Sequence, residues 1–267
     1  MTKRSAIRGV RTDTHLEDVP QLNVIRGGWD PDEAYERSGK RRQRASEPPS
    51  ASAAGGRDQS YVKNVQARSE GQARLMDAID RSDVVLALGP AGTGKTYLAI
   101  SKAVEALRSG KTGRIVLCRP AVEAGERIGF LPGDMEDKLA PYLRPLYDAL
   151  ADRMAPRQIR QMTADGLIEI APVGFMRGRT LNNAFVVIDE AQNCTYVQLK
   201  MLLTRLGWNS KMVVTGDPAQ SDLLPELSGL APAAARLEAL EGGPSVVRLE
   251  ARDVVRHPLV ARMLGAL

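Results

Sequence analysis

The chain has 267 residues, 43% hydrophobic and 26% charged, with 37 lysines and arginines against 32 aspartates and glutamates. That size and balance exclude fibrous and wholly disordered classes and allow one large α/β domain with a substantial core; the formal charge of +5 is compatible with a polyanionic partner such as RNA or DNA. No apolar stretch reaches membrane-span length, and Cys118 and Cys194 lack the C-x-x-C or His/Cys spacing of a disulfide framework or zinc site. The N-terminal run MTKRSAIRGVRTD has no apolar centre, so the expected location is the reducing cytoplasm.

Residues 1–60 are charged, poor in apolar periodicity and end in EPPSASAAGGRDQS, which predicts a mostly disordered basic segment. Its cluster of Arg37, Lys40, Arg41, Arg42 and Arg44 either lies against nucleic acid or stays solvated. Folded structure is expected over 61–267, beginning with a helix from about Ser69 to Asp80 that turns Ala73, Met76 and Ile79 inward. Gln72 on that helix has two readings. Its carboxamide can donate to and accept from the edge of adenine, or it can sit on the surface.

The apolar run Val84–Leu88 then leads into Gly89-Pro90-Ala91-Gly92-Thr93-Gly94-Lys95-Thr96, followed by Tyr97, which fits G-x-x-x-x-G-K-[ST] without a mismatch. Glycines let backbone N–H groups curl around an anion, Lys95 brings a cation to the β- and γ-phosphates, and the Thr96 hydroxyl suits magnesium. Ile100, Ala103, Val104 and Leu107 give the following segment helical periodicity, and Gly110 ends it. Strand, loop and helix in this order predict a P-loop NTPase, with ATP and Mg2+ as ligands.

A second strand, Arg114 to Cys118, runs into RPAVEAGERIGFLPGD, placing Arg119, Glu123 and Glu126 at the carboxyl edge where ligands of open α/β sheets gather. Helical sequence is expected from Met135 to Met162, interrupted near Pro141, Pro145 and Pro156. A third strand, Leu167 to Ala171, precedes a turn in which Arg177 and Arg179 flank a glycine. Such a pair can reach phosphates of a nucleic-acid backbone or of a nucleotide on a neighbouring subunit.

The apolar run Ala184–Ile188 ends in Asp189 and Glu190. Asp189 would hold magnesium beside the loop, and Glu190 would orient and deprotonate the attacking water. The next helix carries Leu199, Leu202, Leu203 and Leu206 as core packing, and a strand over Met212–Thr215 ends in GDPAQ, where Asp217 would position Gln220 to sense the γ-phosphate. Val246–Leu249 reads as an edge strand. Beyond it Arg256 is a candidate phosphate contact, whereas His257, lacking an acidic neighbour, is structural.

The runs GPAGTGKTYLA, RPAVEAGERIGFLPGDMEDKLAPYLRPLYDAL, MRGRTLNNAFVVIDEAQN, KMLLTRLGWNSKMVVTGDPAQSDL and DVVRHPLVARML make residues 61–267 resemble the PhoH-like ATPase family, related to superfamily 1 helicase cores. The resemblance implies a RecA-like three-layer sandwich with a mostly parallel sheet, Mg-dependent ATP hydrolysis, single-stranded RNA as partner, a link to phosphate starvation, and ring-shaped hexamers. Residue by residue, it places nucleotide binding on Gly89–Thr96, magnesium and water activation on Asp189 and Glu190, and γ-phosphate sensing on Gln220. The run SDLLPELSGL after Gln220 departs from the family pattern, which carries a basic residue there. Since one RecA-like domain supplies half of a helicase cleft, a stabilising arginine would come from another subunit, with Arg179, Arg205 and Arg256 as candidates. The alternative is an ATP-dependent RNA- or protein-binding module that hydrolyses only incidentally.

Overall fold

The structure, a computed structural model, describes residues 65–120, 135–255, 259, 260 and 263. Arg256, His257, Glu123, Glu126 and the basic N-terminal cluster lie outside them.

Six strands form one parallel sheet: β1 Val84–Leu88, β2 Arg114–Arg119, β3 Ile168–Pro172, β4 Ala184–Ile188, β5 Lys211–Gly216 and β6 Ser245–Arg248, in the order β3-β2-β4-β5-β1-β6. A parallel sheet is covered on both faces, which is why β1 and β4 are continuous apolar runs rather than alternating ones. Val85 and Ala87 of β1, with Phe185 and Val187 of β4, face one core, while Leu86, Leu88, Val186 and Ile188 face the other. The first core is closed by α1 Glu70–Arg81, α2 Lys95–Arg108, α3 Met135–Ala151 and α4 Pro156–Ala164. The second is closed by α5 Tyr196–Leu203 and α6 Leu230–Glu238. The result is the expected three-layer α/β sandwich. Among the described residues no helix is long and apolar enough to cross a membrane.

Two expectations are corrected. Leu75 and Ile79 of α1 are buried, but Ala73 is exposed, because the helix turns Gly71 and Gln72 inward instead. Nor do Pro141 and Pro145 break α3. Both lie on its exposed face, while Leu143, Leu146, Tyr147 and Leu150 anchor the other face in the core.

The C-terminal part of the sheet is tied back to α1. Asp253, 2% exposed, accepts hydrogen bonds from Gly71 N (3.1 Å) and Glu250 N (2.8 Å). The Glu250 N–H, the Ser69 hydroxyl and Gly71 together hold the Asp253 carboxyl below the ordinary carboxylate range, against the opposing effect of burial. A carboxyl with a depressed folded-state pKa contributes stability above its unfolded pKa of about 3.9 and loses it as pH falls through the lower folded value. Asp253→Asn is therefore expected to cost about 1–3 kcal/mol at neutral pH, and its melting temperature should fall less steeply than the wild type's below about pH 4. Thermal melts of both proteins across pH 2–7 check this; parallel curves would remove Asp253 from the account.

Candidate active site

Nucleotide-binding chemistry in this fold belongs at the carboxyl edge of the sheet, and the loop Gly89–Thr96 leaves β1 at that edge. Its shape depends on positive backbone angles at Gly89 (φ +143°), Gly92 (φ +85°) and Gly94 (φ +81°). A Cβ at Gly89 would lie 2.3 Å from the carbonyl oxygen of Leu249, so no larger residue fits there. The loop is braced from outside. Gln72 Nε2 donates to the carbonyl of Thr93 (3.0 Å), Val255 N donates to that of Gly92 (2.9 Å), and within the loop Thr93 Oγ1 donates to that of Pro90 (2.8 Å).

Gln72 is 5% exposed, which rules out the surface alternative. Its Oε1 accepts from Arg68 N at 2.8 Å, so the carboxamide links the entry of α1 to the loop.

Lys95 opens α2 and folds its ammonium into the loop, donating to the carbonyls of Gly89 (2.6 Å) and Pro90 (2.8 Å). Burial lowers its pKa, and the nearby carboxylates of Asp217, Glu190 and Asp189 partly offset that shift. One residue on, Thr96 Oγ1 donates to Asp189 Oδ1 at 2.5 Å, and Thr215 Oγ1 donates to the same oxygen at 2.8 Å. Asp189 is 4% exposed at the end of β4 and its N–H is held by the Cys118 carbonyl at 2.8 Å. This set of hard oxygens beside the phosphate loop fits magnesium. Tyr97, next on α2, is 38% exposed.

Glu190 adopts φ 52° and ψ 41°, a left-handed conformation that is strained for a non-glycine residue. Its side chain is 39% exposed at the edge. Two neighbours hold it there: Arg119 Nη2 at 3.5 Å, and Gln192 Nε2, which donates to Oε2.

Gln192 is the residue that sequence reasoning missed. It is 3% exposed; its Oε1 accepts from Asp217 N (3.1 Å), and its carbonyl accepts from the hydroxyls of Ser221 (2.9 Å) and Ser228 (3.2 Å). It therefore joins the end of β4 to the end of β5. Its only sequence signal is a position two residues after Glu190 in a short 3-10 turn, Ala191–Asn193. Losing one hydrogen bond to a charged group costs about 1.5–3 kcal/mol. Gln192→Ala should accordingly lower turnover by roughly tenfold or more with little change in nucleotide affinity, measured as kcat against binding; a change confined to affinity would sink this role.

Asp217 is buried and accepts from Ala219 N at 3.0 Å, whereas Gln220 is exposed just beyond it, with its N–H on the Asp217 carbonyl at 3.0 Å. Arg179 is not a free cation on a flexible turn. It forms a bidentate pair with Glu169 of β3, with Nη2 2.7 Å from Oε2, and Glu169 raises the pKa of the guanidinium. Arg205 is likewise engaged, with Met201 O (3.1 Å), Arg179 O (3.0 Å) and Thr204 Oγ1 (3.2 Å). Arg177 is exposed, and its guanidinium has no hydrogen bond or ion pair among the described residues. Cys118 and Cys194 are free and buried; burial pushes both thiols up, Cys194 to about 12, so neither serves as a nucleophile at neutral pH.

The family model described as PhoH-like protein matches residues 64–267. A PhoH-like protein of Bacillus subtilis is 53% identical over 205 residues, covering 76% of this chain and 64% of that protein. Protein PhoH of Escherichia coli K12 is 43% identical over 213 residues, covering 79% of this chain and 60% of its own length. The chain thus spans less than two thirds of these relatives. Among solved structures, a Sulfolobus solfataricus SWI2/SNF2 ATPase core in complex with dsDNA is similar at TM-score 0.42 and 16% identity, covering 73% of this chain and 50% of that one. A match over 64–267, together with the relatives' identity, places this chain in the PhoH-like protein family.

Proposed function

We propose that the chain is a Mg2+-dependent ATPase that couples hydrolysis to binding or remodelling of single-stranded RNA, working in the cytoplasm as a ring-shaped homo-oligomer, with a hexamer as the expected form. The observation that carries the ATPase reading is the convergence of Thr96, Thr215 and Asp189 on one point, with Lys95 inside the phosphate loop on one side and Glu190 held by Arg119 and Gln192 on the other.

In this reading the loop N–H groups and Lys95 bind the phosphates, and Thr96 and Asp189 hold the metal. Bound there, magnesium neutralises charge on the β- and γ-phosphates. Glu190 takes the proton of the attacking water as its oxygen bonds the γ-phosphorus and the bond to the β-phosphate oxygen breaks, releasing ADP. Gln220, exposed beside Asp217, would report the γ-phosphate, and the remaining N–H of Gln72 would meet the adenine edge. Pro90, Ala91, Gly92, Thr93 and Tyr97 complete the nucleotide surface. Arg119 and Arg177 are the RNA contacts this reading favours. Arg179 must leave Glu169 to serve either RNA or a neighbour's nucleotide, which moves the trans role toward Arg256; such an arginine accelerates hydrolysis by about a thousandfold or more in other phosphate-loop enzymes.

The test is the ATPase rate with and without single-stranded RNA and DNA, at two salt concentrations, beside the native mass. Expected are stimulation by RNA that weakens steeply with salt, a ring mass, and loss of turnover on dilution to monomer. Full activity in a monomer rejects the ring, and no hydrolysis in any condition favours the binding-module alternative.

A further inference from the structure

We propose that the cavity behind α2 is a second binding site, for a small oxyanion carried on an apolar stem. The cavity, about 340 Å3, lies between α1, α2 and the turn that joins α3 to α4. It shares no residue with the phosphate loop, so this inference and the ATPase reading stand or fall separately.

Arg153 in that turn is 7% exposed, yet its Nε is buried without a partner, and its guanidinium has no hydrogen bond or ion pair among the described residues. The side chain is not adrift, because the backbone at its root is fixed: Arg153 N donates to Leu150 O (2.8 Å), and Arg108 Nη2 donates to the Arg153 carbonyl (3.1 Å). Across the same lining Ser101 of α2, 4% exposed, also leaves its buried Oγ unpartnered. Buried charges in proteins are paired or bind a ligand, since an uncompensated one is costly. Both residues belong to the lining of one cavity, and one of them carries a cation with no partner among the described residues, which defines what would complete the site. The planar fork of a guanidinium matches the oxygens of a carboxylate or phosphate, and the serine hydroxyl can donate a further bond.

The rest of the lining sets the remainder of the ligand. Met76, Leu98 and Val104 form an apolar wall, so the ligand carries an apolar body. The other charged residues there, Lys102 and Glu105, lie 3.5 Å apart, and Lys102 is also 2.7 Å from Asp80. This leaves Arg153 and Arg108 as the unneutralised charge of the lining.

The experiment uses the full chain saturated with a non-hydrolysable MgATP analogue, so that the γ-phosphate position is filled and added anions do not report on the phosphate loop. Phenyl phosphate, benzoate and inorganic phosphate are titrated separately, with melting temperature and calorimetry as readouts. Phenyl phosphate or benzoate should raise the melting temperature of the wild type more than inorganic phosphate does, and whichever binds more tightly identifies the head group. Ser101→Ala should weaken that binding by about tenfold. Arg153→Met should abolish it and raise the ligand-free melting temperature, because the substitution removes a buried Nε that has no partner. No shift with any probe, an unchanged shift in Arg153→Met, or a lower ligand-free melting temperature in that variant would overturn the proposal, the last by showing that Arg153 is paired within the protein.

Discussion

Glu190→Gln is expected to lower the rate of ATP hydrolysis by about a hundredfold to ten-thousandfold, the range over which a positioned general base contributes, while ATP still binds. The amide keeps the shape of the side chain and its place in the strained turn at φ 52°, but it cannot accept a proton from water. Binding should survive because the loop, Lys95 and the Thr96–Asp189 pair do not depend on the Glu190 charge for their hydrogen bonds. Single-turnover hydrolysis beside nucleotide titration separates the two effects. Hydrolysis at the wild-type rate would remove Glu190 as the base, and RNA remodelling that survived the substitution would favour the nucleotide-dependent binding module.

A large stability effect is expected at Gly89→Ala. The backbone there sits at φ +143°, and the added methyl carbon would lie 2.3 Å from the Leu249 carbonyl oxygen, with no side chain able to move aside. Backbone strain of about 1–3 kcal/mol and overpacking of about 1–3 kcal/mol together predict a loss of roughly 2–6 kcal/mol. ATP binding should fail with it, because Gly89 carries both the loop's first turn and the N–H that meets Gly216 O at 3.2 Å. Gly110→Ala is the comparison. It shares a positive φ, +71°, but nothing lies within 4 Å of the new carbon, so only the conformational penalty of about 1–2 kcal/mol applies. Equal melting temperatures for the two variants would show that the contact with Leu249 is not limiting.

These two positions also mark what could be read from sequence. β1 and β4 were legible to the residue because a buried parallel strand is apolar from end to end, and the motifs attached to them fixed Lys95, Thr96, Asp189 and Glu190 at the edge. Prolines in α3 misled because their local cost is visible in sequence whereas the burial of Leu146 and Leu150 that offsets it is not. Arginines misled for a related reason. Nothing local to Arg179 announces Glu169, which faces it from β3. Gln192 and Gln220 are chemically identical residues near two strand ends. Only the three-dimensional arrangement puts Gln192 between Glu190 and Asp217 and leaves Gln220 on the surface.

The position of β6 has a consequence for how the protein acquires its nucleotide site. The phosphate loop is encoded near the start of the folded region, but several of its supports arrive last: β6 pairs with β1, Leu249 N bonds Leu88 O at 2.7 Å, Asp253 anchors Gly71, and Val255 holds Gly92. Such distant pairings close slowly, because the chain between them must be ordered before they form. During synthesis from the N-terminus, the loop emerges early, and although Gln72 is already there to hold the Thr93 carbonyl, the Gly92 carbonyl waits unclaimed until the segment 245–255 has been made. Competence to bind nucleotide thus becomes a late event in folding, and nascent chains halted before residue 245 would carry the complete phosphate-loop sequence without the structure that shapes it.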